Sequence, residues 1–277
     1  MQRLFNAFLF KIRKDATFRI TLIIGAALAV FMTVLYGLLE KFAGSNGIKY
    51  LDGQSMLLNS MSPVQNYGIA IPVNLISFTC LEFTQGTIRN KIIAGNSKFK
   101  IYASLCLSGL IFSFSLLLVY MGLCTALGSI FGGFNLEDVI LVGGINAGKV
   151  DGKFILLSLL MCALIYLSLT MFAIFIATTF RTMGPAIPIV MVTLMFGYIG
   201  AIIIASSSSF LDNDALVTAV KIIDPMYSIS AGASLEEGTK AAFFETDTIV
   251  LGAISNLFYA SVFFTAGALQ FKKRDVK

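Results

Sequence analysis

Histidine is absent from all 277 residues. With it go imidazole metal ligands, histidine general bases and Ser-His-Asp triads. Charge is scarce as well. Only 13% of the residues are Asp, Glu, Lys or Arg, against about 25% in an ordinary soluble domain. Cysteine is limited to Cys80, Cys106, Cys124 and Cys162, none of them in a CxxC pair and all within apolar segments. They support neither a zinc site nor a disulfide framework, and read as small buried apolar side chains. What the chain has instead is apolar bulk: 57% of its residues are hydrophobic and the mean hydropathy is +0.87. Lipid is the solvent that suits such a composition. Outside the apolar runs no stretch is long and apolar enough to build an aqueous core.

Six runs approach or exceed the ~20 residues that a helix needs to cross a bilayer. They cover Ile20–Leu39, Val64–Leu81, Ile101–Phe131, Phe154–Phe180, Met183–Ala205 and Thr248–Phe271. The expected fold is therefore an all-α integral membrane protein, its transmembrane domain spanning residues 20–271. No Asp, Glu, Lys or Arg falls inside any run, which argues against a proton relay, because intramembrane charges are costly and mark such paths. Ala27-Leu28-Ala29 looks like a signal-peptidase site. It lies within a 20-residue apolar run that continues past it, whereas a true signal core is about 7–15 residues long.

The loops orient the bundle. Residues 1–19, 82–100, 181–182 and 272–277 carry 14 of the 20 Lys and Arg residues. The net charge of +5 thus sits beside spans rather than in one nucleic-acid-binding patch. The positive-inside rule places this side, with both termini, in the cytoplasm. Within residues 1–19, Leu4, Phe8 and Ile12 recur at helical spacing among Arg3, Lys11, Arg13 and Lys14. That pattern predicts an amphipathic helix in the cytoplasmic interface, and residues 272–277 form a short cytoplasmic tail.

Polar residues inside the runs include Asn66, Asn74, Ser77 and Asn256. They read either as hydrogen-bonding glue between helices or as the lining of a substrate path. Pro72 is expected to kink the second span, and Pro185 to open the fifth without penalty. Gly128 and Gly132 form a small-xxx-small pair suited to close helix packing. Gly143 through Val150 matches GxxxxGK, but Val150 stands where a nucleotide-binding loop needs Ser or Thr. The segment reads as a glycine-rich loop, with no ATPase activity expected of this chain.

The segment Glu82–Tyr102 is the most informative. Thr87 is placed to cap a short helix over Ile88–Ala94, Gly95 to end it in the left-handed conformation, and Ser97 to cap the third span. Ile88 and Ile92 would share one face, leaving Arg89 and Asn90 turned outward: a compact knob at the membrane surface.

Glu82, then Gly86-Thr87-Ile88-Arg89-Asn90-Lys91, Gly95, Ser97-Lys98 and Ile101-Tyr102, resembles the ABC-2 type ABC transporter permease family. The detailed match covers about twenty residues, and the six-span layout agrees with it. The resemblance implies a permease subunit of an ATP-driven exporter, working as one of two permease copies in a cell membrane, a bacterial one being the expected setting. A separate ABC ATPase subunit would hold ATP and magnesium, and no cofactor would bind this chain. Glu82, Gly86, Thr87, Ile88, Arg89, Asn90 and Lys91 would be the coupling helix that seats on that ATPase. The external loop 206–247 would lie near the exit, as a re-entrant or a surface hairpin. The competing readings are a stand-alone carrier or channel and a membrane scaffold protein.

Overall fold

A computed structural model describes residues 7, 10, 12, 14–43, 51–61, 68–134, 139–141, 145–148, 152–207 and 246–273. Eight helices and one small hairpin make up the described part. In chain order these are α1 (Ala16–Ala43), α2 (Gly53–Met61), α3 (Ala70–Thr84), α4 (Thr87–Ile93), α5 (Lys98–Gly132), β1 (Val139–Leu141), β2 (Ile145–Gly148), α6 (Gly152–Phe180), α7 (Met183–Ser207) and α8 (Thr246–Lys273). Four helices are long and apolar enough to cross a membrane: α1, α5, α6 and α8. Apolar but shorter are α3, at 15 residues, and the Met183–Gly197 part of α7.

Asp15 decides where α1 starts. Its carboxylate accepts the Thr17 N–H at 3.1 Å, the usual work of an N-cap. Residues 16–19, expected in the interfacial segment, therefore belong to the first long helix. Upstream, residues 7, 10, 12 and 14 are helical, with Ile12 buried and the Lys14 ammonium 4.6 Å from the Phe10 ring centre. The rest of 1–13, including Leu4 and Phe8, lies outside the described residues.

The core runs along α5 and α6. Phe112 of α5 stacks with Phe78 of α3 (5.5 Å) and tilts against Phe18 of α1 (5.1 Å). Phe263 of α8 meets Phe172 and Phe175 of α6 at 5.0 and 5.8 Å. Gly109 lets α5 approach α6, since a Cβ there would stand 2.6 Å from the Ile174 methyl. Ile23, Phe31, Phe196, Ile254 and Phe258 point outward, each at least about half exposed. An aqueous fold does not leave such side chains in rows, whereas a lipid-facing surface does. All four cysteines are buried and free, as expected of small apolar residues.

Two local expectations change. Pro72 lies in the first turn of α3, which begins at Ala70. Its missing N–H has no intrahelical partner there, so it opens the helix rather than kinking a span. The proline inside a helix is Pro188 of α7. Part of the Gly143–Val150 segment is extended: Ile145–Gly148 pairs antiparallel with Val139–Leu141. Strand backbone thus stands where a phosphate-wrapping loop would be. The segment 206–247 lies outside the described residues except at its two ends.

A short helix not foreseen from sequence, α2, packs on the far end of α5. The Gly128–Gly132 pair is its seat. A Cβ at Gly128 would stand 2.7 Å from Met56 Cγ, and one at Gly132 would overlap the Leu51 carbonyl. Gly53 N–H donates to Gly133 C=O at 2.9 Å, locking the junction.

Candidate functional site

At the opposite end of α5, helices α3, α4 and α5 form a tight elbow. Gly86 supplies the bend, with φ 67° and ψ 10°, a left-handed conformation that glycine adopts without a Cβ penalty. The cap of α4 is therefore Gly86, and its backbone carbonyl accepts the Asn90 N–H at 3.0 Å. Thr87, expected to be that cap, is the first helical residue. Its hydroxyl turns back to Glu82, 2.6 Å from the carboxylate and 2.8 Å from the backbone carbonyl. A carboxylate is a strong, charged acceptor, and donating to it turns the hydroxyl toward α3 and away from the free N–H groups that open α4.

Glu82 is fully buried in the last turn of α3. Besides the Thr87 hydroxyl, its Oε2 accepts a charge-assisted hydrogen bond from Lys91 Nζ at 2.8 Å. Burying a carboxylate costs several kcal/mol unless it is paired and hydrogen-bonded. This one has both forms of compensation, and both come from α4. The last turn of α3 is thereby clasped to two successive turns of the short helix.

The rest of the elbow follows its sequence signals. Ile88 is wholly buried and Ile92 packs against the core, while Arg89 and Asn90 are exposed. Gly95 ends the helix at φ 83°. Ser97 Oγ accepts the Lys100 N–H at 3.4 Å and so caps α5.

A collar of residues missed from sequence braces this end. Phe83 packs edge-on against Phe271 of α8, with centroids 6.2 Å apart. The Arg181 guanidinium lies 5.8 Å from the Phe83 ring centre. Arg181 is the turn between α6 and α7 and has φ 61°, a conformation that costs an ordinary residue roughly 1–2 kcal/mol. Thr179 donates to Gln270 at 2.7 Å. A lone Arg-Thr pair between two apolar runs carries no sequence signal for these contacts, which are set by how the helix ends converge.

The candidate path residues do not converge. Asn74 accepts from Thr21 of α1 at 2.9 Å and donates to Ala70 C=O. Ser77 donates to its own helix at Val73. Asn256, fully buried, accepts from Ser168 of α6 at 2.9 Å and donates to Gly252 C=O. The Thr21–Asn74 and Ser168–Asn256 bonds are cross-links at two different interfaces, α1–α3 and α6–α8. Asn66 lies outside the described residues.

Far from this elbow, α2 buries polar groups of its own. Asp52 Oδ2 accepts the Ser55 N–H at 3.1 Å and caps the helix. Gln54 is fully buried, and among the described residues neither its amide nitrogen nor its amide oxygen has a hydrogen-bond partner. Asp-Gly-Gln-Ser at 52–55 is a helix-start signal that could have revealed α2 in the sequence.

Long apolar helices with outward-facing hydrophobic rows, joined at one end by a clasped surface helix, define a polytopic helical membrane protein. The chain belongs to a family described as a protein of unknown function (DUF2705), whose model matches residues 23–277. Neither the curated proteins nor the solved structures contain a match to it.

Proposed function

We propose that this chain is the membrane-spanning permease subunit of an ATP-driven exporter of the ABC-2 type. In this reading six helices cross the bilayer and α4 faces the cytoplasm, where it docks on a separate ATPase chain. That chain carries ATP and magnesium, and a second permease copy completes the pathway.

One observation carries the reading. A helix of seven residues is held rigidly against the bundle by a buried carboxylate, yet it leaves Arg89 and Asn90 exposed. A surface loop with no load to bear gains nothing from burying an ion pair. A helix that must pass an outside force into α3 requires such an anchor. Extended backbone inside the GxxxxGK segment is in keeping with the assignment of hydrolysis to a partner.

Extraction of the tagged chain from its host in mild detergent tests the proposal. A near-stoichiometric ATPase is the expected companion. Arg89→Glu should cut its recovery and ATP-dependent transport at least roughly tenfold, the scale of a charge reversal at a docking contact, with unchanged thermal stability. An ATPase-free preparation that transports by itself in liposomes would establish a stand-alone carrier instead.

A further inference from the structure

The first turn of α5 and the last turn of α8 each carry two lysines, and the two turns touch. Lys98 and Lys100 open α5, and Lys272 and Lys273 end α8. Lys98 Nζ donates to the Lys272 carbonyl at 3.3 Å, which brings the two pairs together. Lys100, Lys272 and Lys273 are exposed, and among the described residues none of the three forms an ion pair.

Helix dipoles explain only half of this cluster. Cations suit the negative C-terminal end of α8, but the N-terminal end of α5 is itself positive and disfavours Lys98 and Lys100. The junction therefore concentrates positive charge from both side chains and backbone. The same helix ends also expose apolar side chains. Phe99, 54% exposed, packs edge-on against Phe264 of α8 at 6.4 Å, and Leu269 on the α8 flank is 61% exposed. Clustered lysines with exposed aromatic and aliphatic side chains on the same two helix ends match one class of molecule present in every cell membrane.

We propose that the α5–α8 junction binds an anionic phospholipid, with its phosphate against the lysines and an acyl chain along Phe99 and Leu269. The site needs only the membrane setting and stands whether or not the chain is an exporter subunit.

The test uses the delipidated full-length chain in neutral detergent. Phosphatidylglycerol or phosphatidylcholine with identical acyl chains is titrated in, and bound lipid is counted by native mass spectrometry. Phosphatidylglycerol should bind roughly a hundredfold tighter, and each exposed lysine replaced in K100A/K272A/K273A should cost roughly fivefold of that preference. Phosphatidylcholine binding should be unchanged, and K100R/K272R/K273R should retain the preference. If the triple alanine variant does not fold, K273A alone gives the same readout at an exposed site. Equal affinity of the wild type for the two lipids overturns the proposal, as does an undiminished preference in the alanine variants. Displacement of phosphatidylglycerol by inorganic phosphate at equal concentration also overturns it, because the ligand would then be a free anion.

Discussion

Glu82 and Gln54 are both fully buried polar side chains, and their surroundings give them opposite energetic signs. Glu82 is paired with Lys91 and Thr87, so truncating any member orphans the others. Lys91→Met should lower stability by about 3–5 kcal/mol, the cost of leaving the buried Glu82 carboxylate without its charged partner. Thr87→Val, which removes a single hydroxyl, should cost about 1 kcal/mol. Thermal unfolding in detergent distinguishes the two. Among the described residues Gln54 has no partner for either amide atom, and leaving such groups unsatisfied costs roughly 1–3 kcal/mol. Gln54→Met, of similar volume, should therefore raise the unfolding temperature, a rare outcome for a core substitution. A lower temperature would mean that the amide is hydrogen-bonded, as by a buried water.

Among the elements, α2 and α4 show what sequence makes legible and what it does not. Gly95, Ser97 and the buried Ile88 were readable because each reports a local rule: a left-handed stop, a hydroxyl cap, an apolar helix face. Gly86 and Thr87 exchanged roles because Thr87 had a choice between its own helix and a carboxylate brought near by the bend. Such competition is tertiary and leaves no trace in spacing. Gly128 and Gly132 announced close packing without naming the partner, which proved to be α2 rather than a long span. The seat can be tested through Cys162, whose thiol lies 3.4 Å from the Met61 carbonyl. With the other three cysteines replaced by alanine, Gly132→Val should push α2 aside and expose Cys162 to maleimide at least roughly tenfold faster, as expected once local opening replaces burial. An unchanged labelling rate would show that α2 is held by other contacts.

For the whole molecule, the distribution of charge predicts sidedness. Lys14, Arg19, Arg89, Lys91, Lys98, Lys100, Arg181, Lys272 and Lys273 all belong to the end that carries α4. Of the described acids there, Asp15 caps α1 and Glu82 pairs with Lys91. That end should face the cytoplasm. In intact cells a membrane-impermeant thiol reagent should label Asn46→Cys and Ser208→Cys but not Asn96→Cys or Lys277→Cys, in a background without native cysteines. Labelling of 96 and 277 on opposite sides would mean an odd number of crossings and would remove the basis for six.

The α2 seat also has a consequence for how the protein is made. Residues 51–61 leave the ribosome well before residues 128–132, yet Leu51, Asp52 and Met56 pack tightly on Gly128 and Gly132. At nine residues, α2 is too short to cross a bilayer unaided. During synthesis it must wait, its polar groups still hydrated, until α5 has entered the membrane. Docking of α2 is thus a late event in biogenesis, and a nascent chain halted before residue 128 should expose this segment to protease while its first span is already integrated.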